Sequence, residues 1–102
     1  MDRRYNALAL SEQLALRKRA VDEVLAHPEW SLAQAVRHLK TTMRLTTEEL
    51  AKLSGVGFRT LQDIEGERSE GTVKTMNRIF GVVGLKVGVV RVRKTESDPG
   101  LG

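Results

Sequence analysis

Four residues of unlike chemistry lie close together near the middle of the chain: Gly57, Phe58, Arg59 and Gln62. The guanidinium of Arg59 donates in a fixed fork and can grip both major-groove acceptors of guanine. Gln62 lies three residues on, which in a helix is the same face one turn later, and its amide can do the same for adenine. Phe58 suits a thymine methyl, and suits equally a core or partner-facing position. Arg59 and Gln62 also fit a plain solvated helix face. Lys52, Lys74 and Arg78 could meet phosphates or simply be solvated charges. Reaction chemistry is not offered. No paired carboxylates, nucleophile with a base, phosphate loop or metal cluster stands out, so an enzyme is the least favoured class and no cofactor is expected. His27 and His38 are too few and too isolated for a metal site, and the absence of cysteine removes thiolate ligands and disulfides.

These residues sit in the stretch LTTEELAKLSGVGFRTLQDIEGE, positions 45–67. It reads as two short helices around a tight corner. Thr46 can cap the first, with Glu49 three residues on reaching back in a T-x-x-E capping box. Ser54 and Gly55 stop that helix, glycine serving where a left-handed residue is needed. Val56 plugs the corner. Leu50, Leu53, Leu61 and Ile64 are the expected buried contacts, with Ala51 where the two helices come closest. The polar residues that remain on the second helix then face outward near its amino end.

This grammar resembles the lambda-repressor-like, XRE-type helix-turn-helix family over about Leu32 to Leu85. The matching residue types are Leu50-Ala51, Gly55-Val56, Thr60-Leu61 and Ile64-Glu65. The resemblance implies that the second helix enters the DNA major groove, with Gly57, Phe58, Arg59 and Gln62 at base-reading positions. It also implies that Thr47 and Thr60 lie near the sugar-phosphate backbone, where Thr46 and Lys52 join them. Many relatives carry glutamine in place of Thr47 and serine in place of Gly57, so one long-armed contact and one capping hydroxyl are missing. Lys40 stands where the family often pairs an arginine with the glutamate closing the second helix, here Glu65. The charge is kept and the planar fork is lost, which predicts a less rigid link. Asp63 is a carboxylate close to the implied phosphate path. It would repel unless it accepts from cytosine or faces away.

The flanking segments supply the support. From Ser11, Leu14, Val21, Val24 and Leu25 share one face of a helix that Pro28 ends. That stripe needs a cover: the domain itself, a second copy or a partner. Ser31 caps the next helix, with Leu32, Ala35, Val36, Leu39 and Met43 facing the core and Trp30 as a staple over its first turn. After the polar loop GERSEG, Thr72 caps a last helix whose apolar face is Val73, Met76, Ile79, Phe80 and Val83, and Gly84 ends it. KVGVVRVRK, residues 86–94, then changes to a valine-rich alternation that reads as a β-strand. A strand without a partner leaves its backbone unpaired, so pairing with the same strand of another copy, as a two-fold ribbon, is the economical solution. Arg91, Arg93 and Lys94 read as edge-strand charges or as contacts to DNA or a partner.

That closing strand, with the phrase VGLKVGVVRV, resembles the HipB-type antitoxins, which repress their own operon and hold a HipA-type kinase inactive. The first thirty residues depart from that pattern. The reading is therefore a mainly α chain. Residues 1–30 form an N-terminal helical extension and 31–84 a lambda-repressor-like helical DNA-binding domain. Residues 85–94 form a dimerisation strand built on Val87, Val89, Val90 and Val92, and 95–102 a disordered tail. The expected function is sequence-specific transcriptional repression as a homodimer on a two-fold operator in double-stranded DNA. Service as the antitoxin of a toxin partner is the companion role, and an interaction module of the same fold without DNA binding is the alternative.

Composition bounds this without deciding it. The 102 residues make one domain, 40% hydrophobic and 29% charged, with a formal charge of +4. Residues 1–30 carry five basic and five acidic side chains and residues 31–70 six of each, so the whole excess follows residue 70. A basic tail describes this as well as a basic DNA-binding face does. No apolar run approaches a membrane span, and no signal-peptide core follows the basic start, which suggests cytoplasmic residence without membrane association.

Overall fold

The computed structural model describes residues 9–92. The expectations for residues 1–8, for the last two positions of the strand and for the tail 95–102 lie outside the described residues. Five helices follow one another: α1 Leu10–Ala26, α2 Leu32–Thr42, α3 Thr47–Ser54, α4 Phe58–Glu65 and α5 Val73–Gly81. Among the described residues no helix is long and apolar enough to cross a membrane.

Local chemistry accounts for most of the boundaries. The Ala9 N–H donates to the Glu12 carboxylate at 3.0 Å, starting α1 one residue before Ser11. His27, ahead of Pro28, leaves helical geometry and ends it. At α2 the Ser31 hydroxyl accepts from the Gln34 N–H (3.1 Å) while the Gln34 side chain accepts from the Ser31 N–H (2.8 Å). Thr46 and Glu49 form the same reciprocal pair at α3, at 3.0 and 2.8 Å. Such caps contribute about 1 kcal/mol each. Thr72 caps α5 through the Thr75 N–H at 3.0 Å. That helix ends at Gly81, and Gly84 closes the turn after it at φ +79°.

The core is built chiefly from α2, α4 and α5. Val36, Leu61, Ile64, Met76 and Ile79 are fully buried, and Leu39, Leu50, Ala51, Val56, Phe80 and Val83 complete it. Leu53, expected inside, is 60% exposed. It lies two residues past Ala51, about 200° around the helix, so burying Ala51 turns it outward, and Val56 fills the corner instead. Leu32 and Val73 are also exposed: each opens its helix, and together they line a surface groove of about 400 Å³ with Ala33 and Met76. The stripe on α1 is covered in its middle only. Ala20 is buried, Val21 and Val24 pack against the core, and Leu14 and Leu25 stay exposed, because the 17-residue α1 packs on an α2 of 11 residues. Trp30 does not simply staple α2. It stacks on His27 with ring centroids 4.3 Å apart and tilts against His38 at 4.9 Å.

Beyond α5 the chain turns back. The Leu85 N–H donates to the Phe80 carbonyl, and the Val87 N–H to the Asn77 side-chain carbonyl at 2.8 Å. Residues 85–92 form no β-ladder within the single chain, and Val89, Val90 and Val92 are exposed.

Candidate nucleic-acid interface

The eight-residue α4 is built to present one flank. Leu61 and Ile64 are fully buried, which turns Arg59, Thr60 and Gln62 to solvent and leaves Phe58 47% exposed. Gly57 is the cap residue, without a side chain to accept from the helix N–H groups. The corner ahead of it is fixed by Gly55 at φ +74°, whose N–H reaches the Ala51 carbonyl, and by the buried Val56. Gly57, Phe58, Arg59 and Gln62 thus lie on exposed surface that runs from the cap of α4 to just past its middle.

The nearby residues divide. Lys52 is exposed on α3. The Thr46 hydroxyl is occupied in capping, accepting from the Glu49 N–H. The Thr47 hydroxyl turns inward, donating to Glu65 Oε1 at 2.9 Å and accepting from Lys40 Nζ at 3.0 Å, so it is engaged inside the protein. Lys40 itself reaches the same Glu65 Oε1 at 2.9 Å, and the lysine-for-arginine pairing read from the sequence is present. The other oxygen, Glu65 Oε2, is buried without a hydrogen-bond partner among the described residues. A lysine is a single point donor, and this one serves only half of the carboxylate.

Two arginines that sequence reasoning passed over hold the end of α4. Arg37 donates to the Glu65 backbone carbonyl at 2.6 Å and to the Glu67 carboxylate at 3.2 Å. Arg68 donates to Asp63 Oδ1 at 3.1 Å and to the Gln62 carbonyl at 3.3 Å. Asp63 is therefore not a bare carboxylate on the flank. The signal available beforehand was thin: Arg37 lies one turn before Lys40, and Arg68 lies in a loop that looked merely polar.

His38 has a different task. Its Nε2 meets Glu23 Oε1 at 2.6 Å and Thr42 Oγ1 at 3.2 Å, tying α1 to α2. The hydrogen bond from His38, followed by that from Arg19, holds the Glu23 carboxyl below its ordinary range. Of the expected dimerisation residues, Val87 is half-buried and held by Asn77, while Val89, Val90 and Val92 are open. No family model, curated protein or solved structure matches this chain.

Proposed function

We propose that this protein is a sequence-specific DNA-binding regulator that acts as a homodimer, with the exposed flank of α4 reading base edges. The observation that carries the reading is Arg59 and Gln62 standing one turn apart on the exposed side of a short helix. Behind them, the αL corner at Gly55 and the buried Leu61 and Ile64 fix the helix in place. Arg59 takes guanine and Gln62 adenine, and Lys52 with the amino end of α3 meets phosphates. Phosphate neutralisation supplies most of the affinity and the base edges supply the preference. Valine segments from two copies pair as a ribbon, which sets half-sites about one helical turn apart, roughly 34 Å.

The test is selection of a duplex from a randomised pool by the wild-type chain, followed by titration with Arg59→Ala. The substitution should cost about 1–3 kcal/mol per half-site and relax the preference at one base pair. Equal binding removes Arg59 from the readout, and failure to enrich any sequence removes the DNA reading.

A second reading is an interaction module, with or without DNA binding, whose partner would be a toxin neutralised by this chain. The open leucines of α1 (Leu10, Leu14 and Leu25) together with Val89 and Val90 favour it. Co-purification from the native operon distinguishes a toxin-bound chain from a free-standing regulator.

A further inference from the structure

Just past α4 the chain makes a turn that its sequence does not advertise. Gly66 caps the helix near the helical region, and Glu67 follows at φ +60°, a left-handed position that usually falls to glycine. The Glu67 N–H donates to the Ile64 carbonyl at 3.0 Å and the Arg68 N–H to the Asp63 carbonyl at 2.8 Å, the paired bonds of a Schellman turn. Arg37 holds the Glu67 carboxylate at 3.2 Å, which helps keep a glutamate in that position. The turn sends the Arg68 side chain back along α4. There its guanidinium meets Asp63 at 3.1 Å and the Gln62 carbonyl at 3.3 Å. It also lies across Gly66, where an added Cβ would come within 2.6 Å of Nη1.

We propose that Arg68 is a positioning residue for nucleic-acid binding: folded over Gly66, it cancels the Asp63 carboxylate beside Gln62 and so makes the carboxyl half of the α4 flank compatible with a phosphate chain. The inference rests on the DNA-binding reading above and adds to it a residue outside the helix. An uncancelled carboxylate there repels phosphate, and that repulsion is strongest at low salt. The guanidinium need not touch DNA. Its work is done on Asp63 and on the Gln62 backbone.

The experiment uses the duplex enriched by the wild-type chain and measures Kd at several salt concentrations, with thermal unfolding of each variant alongside. Arg68→Ala should weaken binding about threefold to thirtyfold at low salt, as expected for one unscreened charge several ångströms from phosphates, and the loss should shrink as salt rises. Asp63→Asn should bind as well as wild type or better. The double variant should return to within about threefold of wild type, because the two changes act through one contact. Gly66→Ala keeps both charged groups and displaces only the guanidinium, so it should reproduce part of the Arg68→Ala loss with an unchanged Tm. A double variant as weak as Arg68→Ala overturns the proposal, because the guanidinium would then be gripping DNA itself. Arg68→Ala binding like wild type overturns it too. If the wild-type chain enriches no duplex, the regulator reading and this inference fall together, whereas either of the preceding results removes the inference alone.

Discussion

Lys40→Arg should make this protein more stable, and the reason is one oxygen. Glu65 Oε1 receives both Lys40 Nζ and the Thr47 hydroxyl at 2.9 Å, while Oε2 is buried and receives nothing. A buried acceptor left unmade costs about 1–3 kcal/mol, more when it belongs to a charged group. The pair is well shielded, with 23% of the Lys40 side chain and 11% of the Glu65 side chain accessible, so water offsets little of that cost. A guanidinium is planar and spans both oxygens of a carboxylate, which an ammonium cannot do. Recovering about half of the penalty gives roughly 1 kcal/mol, allowing for the strain of a larger head group. For a domain of this size that raises Tm by about 4–8 °C. Urea unfolding should show a higher midpoint with an unchanged slope, the mark of a stability change without altered compactness. The companion variant Glu65→Gln leaves Lys40 without its counter-charge and should cost about 3 kcal/mol. A Lys40→Arg protein no more stable than wild type refutes the argument, because it would mean that the orphaned oxygen carries no penalty a second donor can relieve.

Three further outcomes are expected. Gly57→Ser should stabilise α4 by a few tenths of a kcal/mol in thermal unfolding, since Gly57 has φ −61° and an added Cβ meets only Thr60 Oγ1 at 3.8 Å. A loss of stability would mean that the hydroxyl does not reach the helix N–H groups. The Glu23 carboxyl is held low by His38 and then Arg19, so its contribution is present above its unfolded pKa and disappears as pH falls through the lower folded value. Acid titration followed through Trp30 fluorescence should show that step, and Glu23→Gln should remove it. Removing residues 85–102 should leave a monomer by light scattering, because Val89, Val90 and Val92 stand exposed among the described residues. A truncated chain that stays dimeric excludes the ribbon.

The features legible in the sequence are those set by neighbours along the chain. The capping box at Thr46 and Glu49, the glycine corner at 55 and the proline stop at 28 each act within a few residues and read directly. The outward flank of α4 followed from the same logic, because Leu61 and Ile64 fix which side is inside. Periodicity assigns a face but not how much of that face meets a neighbour, and this misplaced Leu32 and Val73. The contacts that trim the site span distance. Arg37 reaches Glu65 across 28 positions and Thr47 reaches it across 18, and no local pattern announces either bond. Arg68 was hidden for a different reason: its approach to Asp63 depends on a left-handed glutamate, and glutamate is not a residue from which such a turn is inferred.

Three of the polar residues of α2 explain how a helix as short as α4 can hold a defined orientation. Burial of Leu61 and Ile64 sets its depth, but hydrophobic contact is non-directional and leaves an eight-residue cylinder free to rock about the contact line. Arg37 and Lys40, one turn apart, leave α2 on one side about 60° from each other, and His38 leaves it roughly 100° from the first and 160° from the second. Arg37 takes the last carbonyl of α4, Lys40 takes the Glu65 side chain together with the first residue of α3, and His38 takes Glu23 of α1. One bond to the backbone and one to the side chain of Glu65 pin the end of α4 against the rotation that packing permits. They hang on a helix that is itself braced from the opposite side by α1. Helix α1 is thereby part of what orients α4, although it contacts mainly α2. The rigidity of α4 is then a property of four helices acting together, which is why Lys40, central to the brace, is where a single donor too few matters most.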